Sequence, residues 1–287
     1  MKGAEGFDQF YSDLYESRWP GLREALLGGG NAISLSVGSR PPYYLDPASL
    51  VPALALDVHP EQRVADLCAA PGGKTLILAA QLAGAGRLDA NDRSSARRNR
   101  LHRVLAEHLP ESVRRPVEVS GHDASRWGLY HAGAYDRVLA DVPCSSEQHV
   151  LQSPPALEKW SSSRTRRLAQ SAYAIACAAA DSLRPGGLMV YSTCALSPAE
   201  NDGVINRLLD RGAGVLAVER SNAVDAVRQI LHAAHPAETD ASIQVSADQE
   251  LTIAGEQTEF GEHILPDTSG GGPIYYAVIR RTACNSA

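Results

Sequence analysis

Two cysteines in this sequence stand where a chain could use a thiol. Residues 141–146 read DVPCSS after the apolar run 135–140, and residues 191–194 read YSTC after the run 188–190. If each run is a strand, Cys144 and Cys194 share one rim of a sheet with Asp141. A thiol there can be a small buried hydrophobe, the ordinary state of a free cysteine, and Cys177 inside AIACAAA reads that way. As a thiolate it can instead be a nucleophile. The run ADLCAAPGGKT (65–75) adds Gly72 and Gly73 between a strand and a helix, at the carboxyl edge where doubly wound sheets bind ligands. Small residues there let backbone approach a cofactor closely. A GxxxxGK[ST] loop would need glycine where Cys68 stands, and no GxGxxG occurs, so neither a nucleoside triphosphate nor NAD is favoured.

The elements that must position these residues alternate from residue 62 onward in the manner of a parallel sheet wrapped by helices. Strands are expected at 64–67, 87–90, 117–120, 137–142, 188–192, 215–218 and 274–279, and helices at 73–83, 94–108, 164–183 and 198–211. Asp92, Asp123 and Asp141 then follow the second, third and fourth strands. A carboxylate after the second strand suits a ribose diol. Acids at strand ends also serve as turn and N-cap residues, but beside the glycine loop the set points to a nucleoside cofactor. The first 45 residues form a helical, aromatic extension (Phe7, Phe10, Tyr11, Tyr15, Trp19), and 46–287 the catalytic domain. Residues 221–272 carry no lasting period and read as an insertion before the last strand.

Composition bounds what such a domain could do. At 287 residues and 44% hydrophobic the chain can bury one large core. A net charge of −6 excludes holding nucleic acid by bulk attraction, so any such contact needs local patches or a partner's charge. The five cysteines include no CxxC pair and read as reduced thiols, with no metal site. No apolar stretch suits a membrane span, and the first ten residues resemble neither a signal nor a transit peptide.

Taken in order, DLCAAPGGKT (66–75), DVPCSS (141–146) and YSTCALSPAEND (191–202) resemble the NSUN (Fmu-like) RNA cytosine-5 methyltransferases. The resemblance extends through FDQFYSDLYESRWPGLREALL (7–27), YYLDPASLVPALAL (43–56) and GPIYYAVIRR (272–281), and is nearest to the mitochondrial rRNA-modifying branch. It implies an α/β fold of the Rossmann-like class I type that uses S-adenosyl-L-methionine. That fold has a doubly wound, seven-stranded, mostly parallel sheet with the last strand antiparallel, here preceded by the N-terminal helical segment.

The resemblance also implies roles. Cys194 would add to C6 of an unpaired or flipped cytosine, since C5 alone is a poor nucleophile. Asp141 would contact N3, Lys74 would supply positive charge beside the base, and Cys144 would assist release. Pro143 would turn Asp141 and Cys144 together into the cleft. The cofactor cradle would be Cys68, Ala69, Ala70, Pro71, Gly72, Gly73 and Lys74, with Asp92 on the ribose, Arg97 nearby, Asp123 at the adenine and Asp141 beside the methionine moiety. Arg97, like Arg164, Arg166 and Arg167, also reads as part of a solvated helix face. RNA, ribosomal or transfer, is the implied partner, with a basic helical protein of the mitochondrial transcription-termination-factor fold as a second, in mitochondria. Three rivals stand beside this reading. A DNA cytosine-5 methyltransferase would use the prolyl-cysteine thiol Cys144 as nucleophile, a ribosome-assembly factor would bind without turnover, and a dehydrogenase would need the missing GxGxxG.

Overall fold

The computed structural model describes residues 1–232, 239–247 and 251–282; Cys284 lies outside them. Helices α1 (Gly3–Tyr15) and α2 (Trp19–Leu27) lead into strands β1 (Ile33–Val37) and β2 (Tyr43–Leu45) and helix α3 (Leu50–Ala55). The alternating part runs β3 (Arg63–Asp66), α4 (Gly73–Leu82), β4 (Arg87–Asn91), α5 (Ser95–His108), α6 (Glu111–Arg114), β5 (Val117–Ser120), α7 (Trp127–Tyr130) and β6 (Tyr135–Asp141). Helices α8 (Glu147–Gln152), α9 (Pro154–Glu158) and α10 (Ser162–Ser182) precede β7 (Leu183–Thr193), α11 (Asp202–Arg211) and β8 (Leu216–Glu219). The chain closes with α12 (Ala223–His232), β9 (Ile243–Ser246), β10 (Glu256–Gln257), β11 (Glu262–Ile264) and β12 (Ile274–Arg281).

Strands β5, β4, β3, β6 and β7 lie side by side in that order, all parallel. Strand β12 pairs antiparallel with β7, and β8 pairs antiparallel with the other edge of β12. These are the seven strands expected from the sequence. Strands β10 and β11 add two short ones beyond β12, and β1, β2 and β9 form a separate small sheet.

Both faces of the central strands are covered, because alternate side chains point opposite ways. Val64, Leu139 and Val190 join the core under α4 and α5, whereas Ala65, Val138, Ala140 and Tyr191 join the core under α10 and α11. A third cluster ties the N-terminal helices to the body. Phe7 and Tyr11, one helical turn apart, pack with Trp19, Leu22 and Leu26 against Val150, Leu151, Trp160 and Leu196. The Phe7 and Trp160 rings meet edge to face at 5.3 Å. The N-terminal helices therefore rest on the segments that follow the two cysteine motifs.

Three boundaries differ from the sequence reading. The helical expectation for the first 45 residues holds to Leu27; ISLSV at 33–37 is a strand whose burial alternates, completed by β9 from more than 200 residues away. Helix α11 starts at Asp202 and not at 198, because residues 198–201 form a turn in which the Pro198 carbonyl accepts the Gly203 amide at 2.9 Å. Strand β7 begins at Leu183, paired with Tyr135, and crosses an irregularity before the expected run.

Candidate active site

Parallel pairing brings the two thiols together. Asp141 on β6 lies directly beside Ser192 on β7, and each chain continues two or three residues past that point to its cysteine. The Cys144 and Cys194 sulfurs, both free thiols, are 2.8 Å apart. Ser146 adopts φ +53°, a left-handed conformation uncommon outside glycine, and this puts its hydroxyl 3.2 Å from Cys194 Sγ. The Cys194 amide donates to Cys144 Sγ at 3.3 Å.

Lys74, in the first turn of α4, completes the rim. Its ammonium donates to Asp141 Oδ2 at 2.8 Å, and the Ser192 hydroxyl donates to Asp141 Oδ1 at 2.7 Å. Burial alone pulls the Lys74 ammonium down, but the Asp141 carboxylate, helped by Cys194 and Asp66, reverses this and leaves it raised. The thiols divide in the opposite way. Cys194 is lowered, because Cys144 and Ser146 donate to its sulfur and outweigh burial, while Cys144, its sulfur beside Cys194 and buried, is pushed up. Burial also pushes the Cys68 thiol up, so it stays protonated. Asp66, buried beneath the loop and bonded to the Thr75 hydroxyl at 2.8 Å, is raised by that burial to about 7.

Two hollows with Cys68 in their shared wall open on this rim. The smaller, 150 Å³, is lined by Cys68, Ala69, Ala70, Pro71, Gly73, Lys74 and Asp141, with Tyr43 across from them. The larger, 330 Å³, is lined by Asp92, Arg93, Ser94, Arg97, Asp123, Ala124 and Pro143. Asp92 Oδ1 accepts the Ser94 amide at 2.9 Å, while its buried Oδ2 accepts no hydrogen bond and lies 3.3 Å from the Arg97 guanidinium. Arg97 also donates to the Ala70 carbonyl, so it links Asp92 to the glycine loop. Asp123 accepts from the Ser125 amide and hydroxyl, as the turn reading expects, and it also lines the hollow. A further hollow of 440 Å³, beyond Asp123 among His122, Arg126, Trp127 and Tyr130, contains neither thiol nor Lys74.

Of the residues expected to act on the base or hold the cofactor, all except Gly72 gather at this edge. Gly72 lines neither hollow; at φ +125° it packs against α5, where a Cβ would come within 2.9 Å of Val104. Sequence reasoning missed Ser146 and Ser192, and it missed the buried carboxyls Glu147 and Glu200. Their signal was present: each acid stands close behind a cysteine motif, in DVPCSSE and STCALSPAE.

A central parallel sheet with an antiparallel strand inserted before its last edge strand, carrying a ligand cleft at the carboxyl ends, is the fold of the S-adenosylmethionine-dependent methyltransferases. Solved structures agree on that fold. A methyltransferase homologue from Pyrococcus horikoshii superposes with a TM-score of 0.64 at 21% identity, covering 94% of this chain and 93% of its own. The sequence model described as 16S rRNA methyltransferase RsmB/F matches residues 53–280, and the chain belongs to that family. It is 34% identical over 244 residues to the 5-cytosine rRNA methyltransferase NSUN4 of Xenopus tropicalis, covering 83% of this chain and 56% of the relative. It is 37% identical over 247 residues to the mitochondrial tRNA (cytosine(34)-C(5))-methyltransferase of Mus musculus, covering 85% and 65%. The chain thus spans about half to two thirds of the length of these two relatives. Among the described residues no helix is long and apolar enough to cross a membrane.

Proposed function

We propose that this chain methylates C5 of a cytosine in RNA, using S-adenosyl-L-methionine, through a covalent bond between Cys194 and C6. The observation that carries the reading is the thiol pair itself: Cys194 with its sulfur lowered by two donors, 2.8 Å from a protonated Cys144, on the rim that holds the Asp141–Lys74 pair. The cleft fits the cofactor. Asp92 offers an acceptor oxygen without a hydrogen bond, Cys68 through Pro71 and Gly73 give a wall of small groups, and Asp123 and Ala124 line the far end of the larger hollow. When bound there, S-adenosylmethionine supplies an electrophilic methyl group to C5.

The chain's own residues do the rest. Cys194 adds as thiolate to C6, which makes C5 electron-rich. Asp141 and Lys74 face N3, and the proton held between them offsets the negative charge that moves onto the ring. After C5 is alkylated, a base removes the C5 proton and the C6–S bond breaks, returning the Cys194 thiolate. Cys144, a protonated thiol in contact with that sulfur, assists this departure. The base must leave any stack to reach Cys194. A relative that methylates rRNA and one that methylates mitochondrial tRNA support an RNA substrate and a mitochondrial setting. The charge of −6 supports a basic protein partner, for which the family resemblance suggests the mitochondrial transcription-termination-factor fold.

Cysteine variants test the reading. Cys194→Ala should abolish both methyl transfer and covalent linkage to RNA. Cys144→Ala should trap a protein–RNA adduct that survives denaturing electrophoresis and needs the cofactor to form. An adduct in Cys194→Ala and none in Cys144→Ala would move the nucleophile to the DVPC thiol and favour the DNA-type mechanism.

A further inference from the structure

Behind the thiols lies an acid pair that takes no part in the steps above. The side chains of Glu147 and Glu200 are fully buried, and the Ser145 hydroxyl sits between them. Ser145 Oγ contacts Glu147 Oε1 and, at 2.6 Å, Glu200 Oε2. A serine hydroxyl has one hydrogen, so two such oxygen–oxygen contacts require a second proton on one carboxyl. Glu147 also accepts the Tyr11 hydroxyl from α1 and the Leu196 amide at 3.0 Å, whereas Glu200 Oε1 accepts the Ser145 amide at 2.9 Å. The carboxyl with more donors is the ionised one. The chain of bonds therefore reads Glu200 acid to Ser145 hydroxyl to Glu147 carboxylate. Burial raises both carboxyls, and burial together with the Glu147 charge brings Glu200 to about 7.

This chain grips both thiol loops at once. Ser145 adjoins Cys144 and carries the backbone into the left-handed Ser146, and Leu196 stands two residues past Cys194. We propose that Glu200, Ser145 and Glu147, sharing one proton and braced by Tyr11, are positioning residues that hold Cys144 and Ser146 as donors to the Cys194 sulfur. The proposal rests on the reading of Cys194 as the nucleophile. It makes α1 a working part of the site. The groups facing Glu200 are Glu147 and Ser145, Arg164 of α10, Tyr191 of β7 and Tyr11 of α1. Once Glu200 loses its proton, two carboxylates face a single hydroxyl hydrogen and the turn is released.

The two carboxyls predict opposite responses to the same change. Gln at 200 can donate to Ser145 Oγ and accept the Ser145 amide, reproducing the protonated acid. Gln at 147 must either set its amide N–H against the Leu196 amide or turn it to Tyr11 and Ser145, whose hydroxyls would then both have to reverse and accept, breaking the chain of bonds. The test is iodoacetamide alkylation of the full chain, read at each cysteine by mass spectrometry, with methyl transfer to RNA measured on the same samples. Near pH 6.5, Glu147→Gln and Glu200→Ala should slow alkylation at Cys194 about tenfold, the effect of raising a thiol pKa by about one unit. Wild-type methyl transfer should fall above about pH 7, and Glu200→Gln should keep the wild-type alkylation rate and remove that fall. A Glu200→Gln as slow as Glu200→Ala, or a Glu147→Gln at the wild-type rate, would overturn the proposal. Misfolding would speed alkylation at Cys68 and Cys177 together. In that event Tyr11→Phe decides, with slower Cys194 alkylation at unchanged Cys68 and Cys177 expected, and an unchanged Cys194 overturning the role of the network. If wild-type protein shows the alkylation pattern yet leaves every RNA unmethylated, the proposed reaction fails and the positioning network stands.

Discussion

Asp92 offers the most direct test of the cofactor cleft. Its two oxygens have different work: Oδ1 holds the turn by accepting the Ser94 amide at 2.9 Å, and Oδ2 is buried without a hydrogen bond, 3.3 Å from an Arg97 guanidinium that is half exposed. A ribose diol donating to Oδ2 would make a charge-assisted hydrogen bond in a place where water is already excluded. Asp92→Asn keeps an acceptor for Ser94 but turns a donor toward the diol. Losing such a bond costs roughly 1.5–3 kcal/mol, so affinity for S-adenosylmethionine or its demethylated product should fall about ten- to hundredfold. Asp92→Ala also loses the turn contact and should bind at least as weakly. Titration calorimetry on wild type and both variants reads this directly, with thermal unfolding of each free protein as a control. Unchanged affinity in Asp92→Asn, with the fold intact, would refute the ribose assignment.

Lys74→Met strips the cation from the partly buried Asp141; we expect loss of turnover and destabilisation of about 2–3 kcal/mol, at or below the low end for buried pairs because Asp141 keeps some solvent. Lys74→Met with Asp141→Asn should recover the denaturation midpoint but not methyl transfer, and recovery of both would remove the pair from the reaction. Asp66, raised by burial to about 7, contributes stability that is complete below its unfolded value of 3.8 and lost as pH rises through about 7. Asp66→Asn should therefore be the more stable protein near pH 8 and not near pH 4, by at most about 4 kcal/mol, and equal differences at both pH values in urea melts would contradict the shift. RNA binding by the isolated chain should be weak and salt-sensitive. If about four arginines of α5 and its leading turn meet phosphates of a single strand, the log–log slope against salt is about −3. Tight, specific methylation by the chain alone at physiological salt would remove the need for a partner.

Local pattern fixed much of this protein in advance. The near-continuous burial of β6 and of the second half of β7 follows from apolar runs in parallel strands covered on both faces, and a glycine pair between strand and helix marks a ligand edge whatever the rest of the chain does. Hence the positions of Cys144, Cys194, Asp141, Asp92 and the 68–74 loop could be read without coordinates. What could not be read depends on groups brought together across long separations. Tyr11 meets Glu147 136 residues away, and Ser145 meets Glu200 55 residues away. The strand ISLSV has its alternation in the sequence, yet as a strand it needs β9 to pair with. The lowered proton affinity of Cys194 is of the same kind. A thiol's pKa is set by its donors, and the arrangement of Ser146 and Cys144 around Cys194 exists only once β6 and β7 lie in register. Sequence determined which residues reach the rim; tertiary contact decided which of the two thiols gives up its proton more readily, because proton affinity is a property of the assembled surroundings and not of the residue.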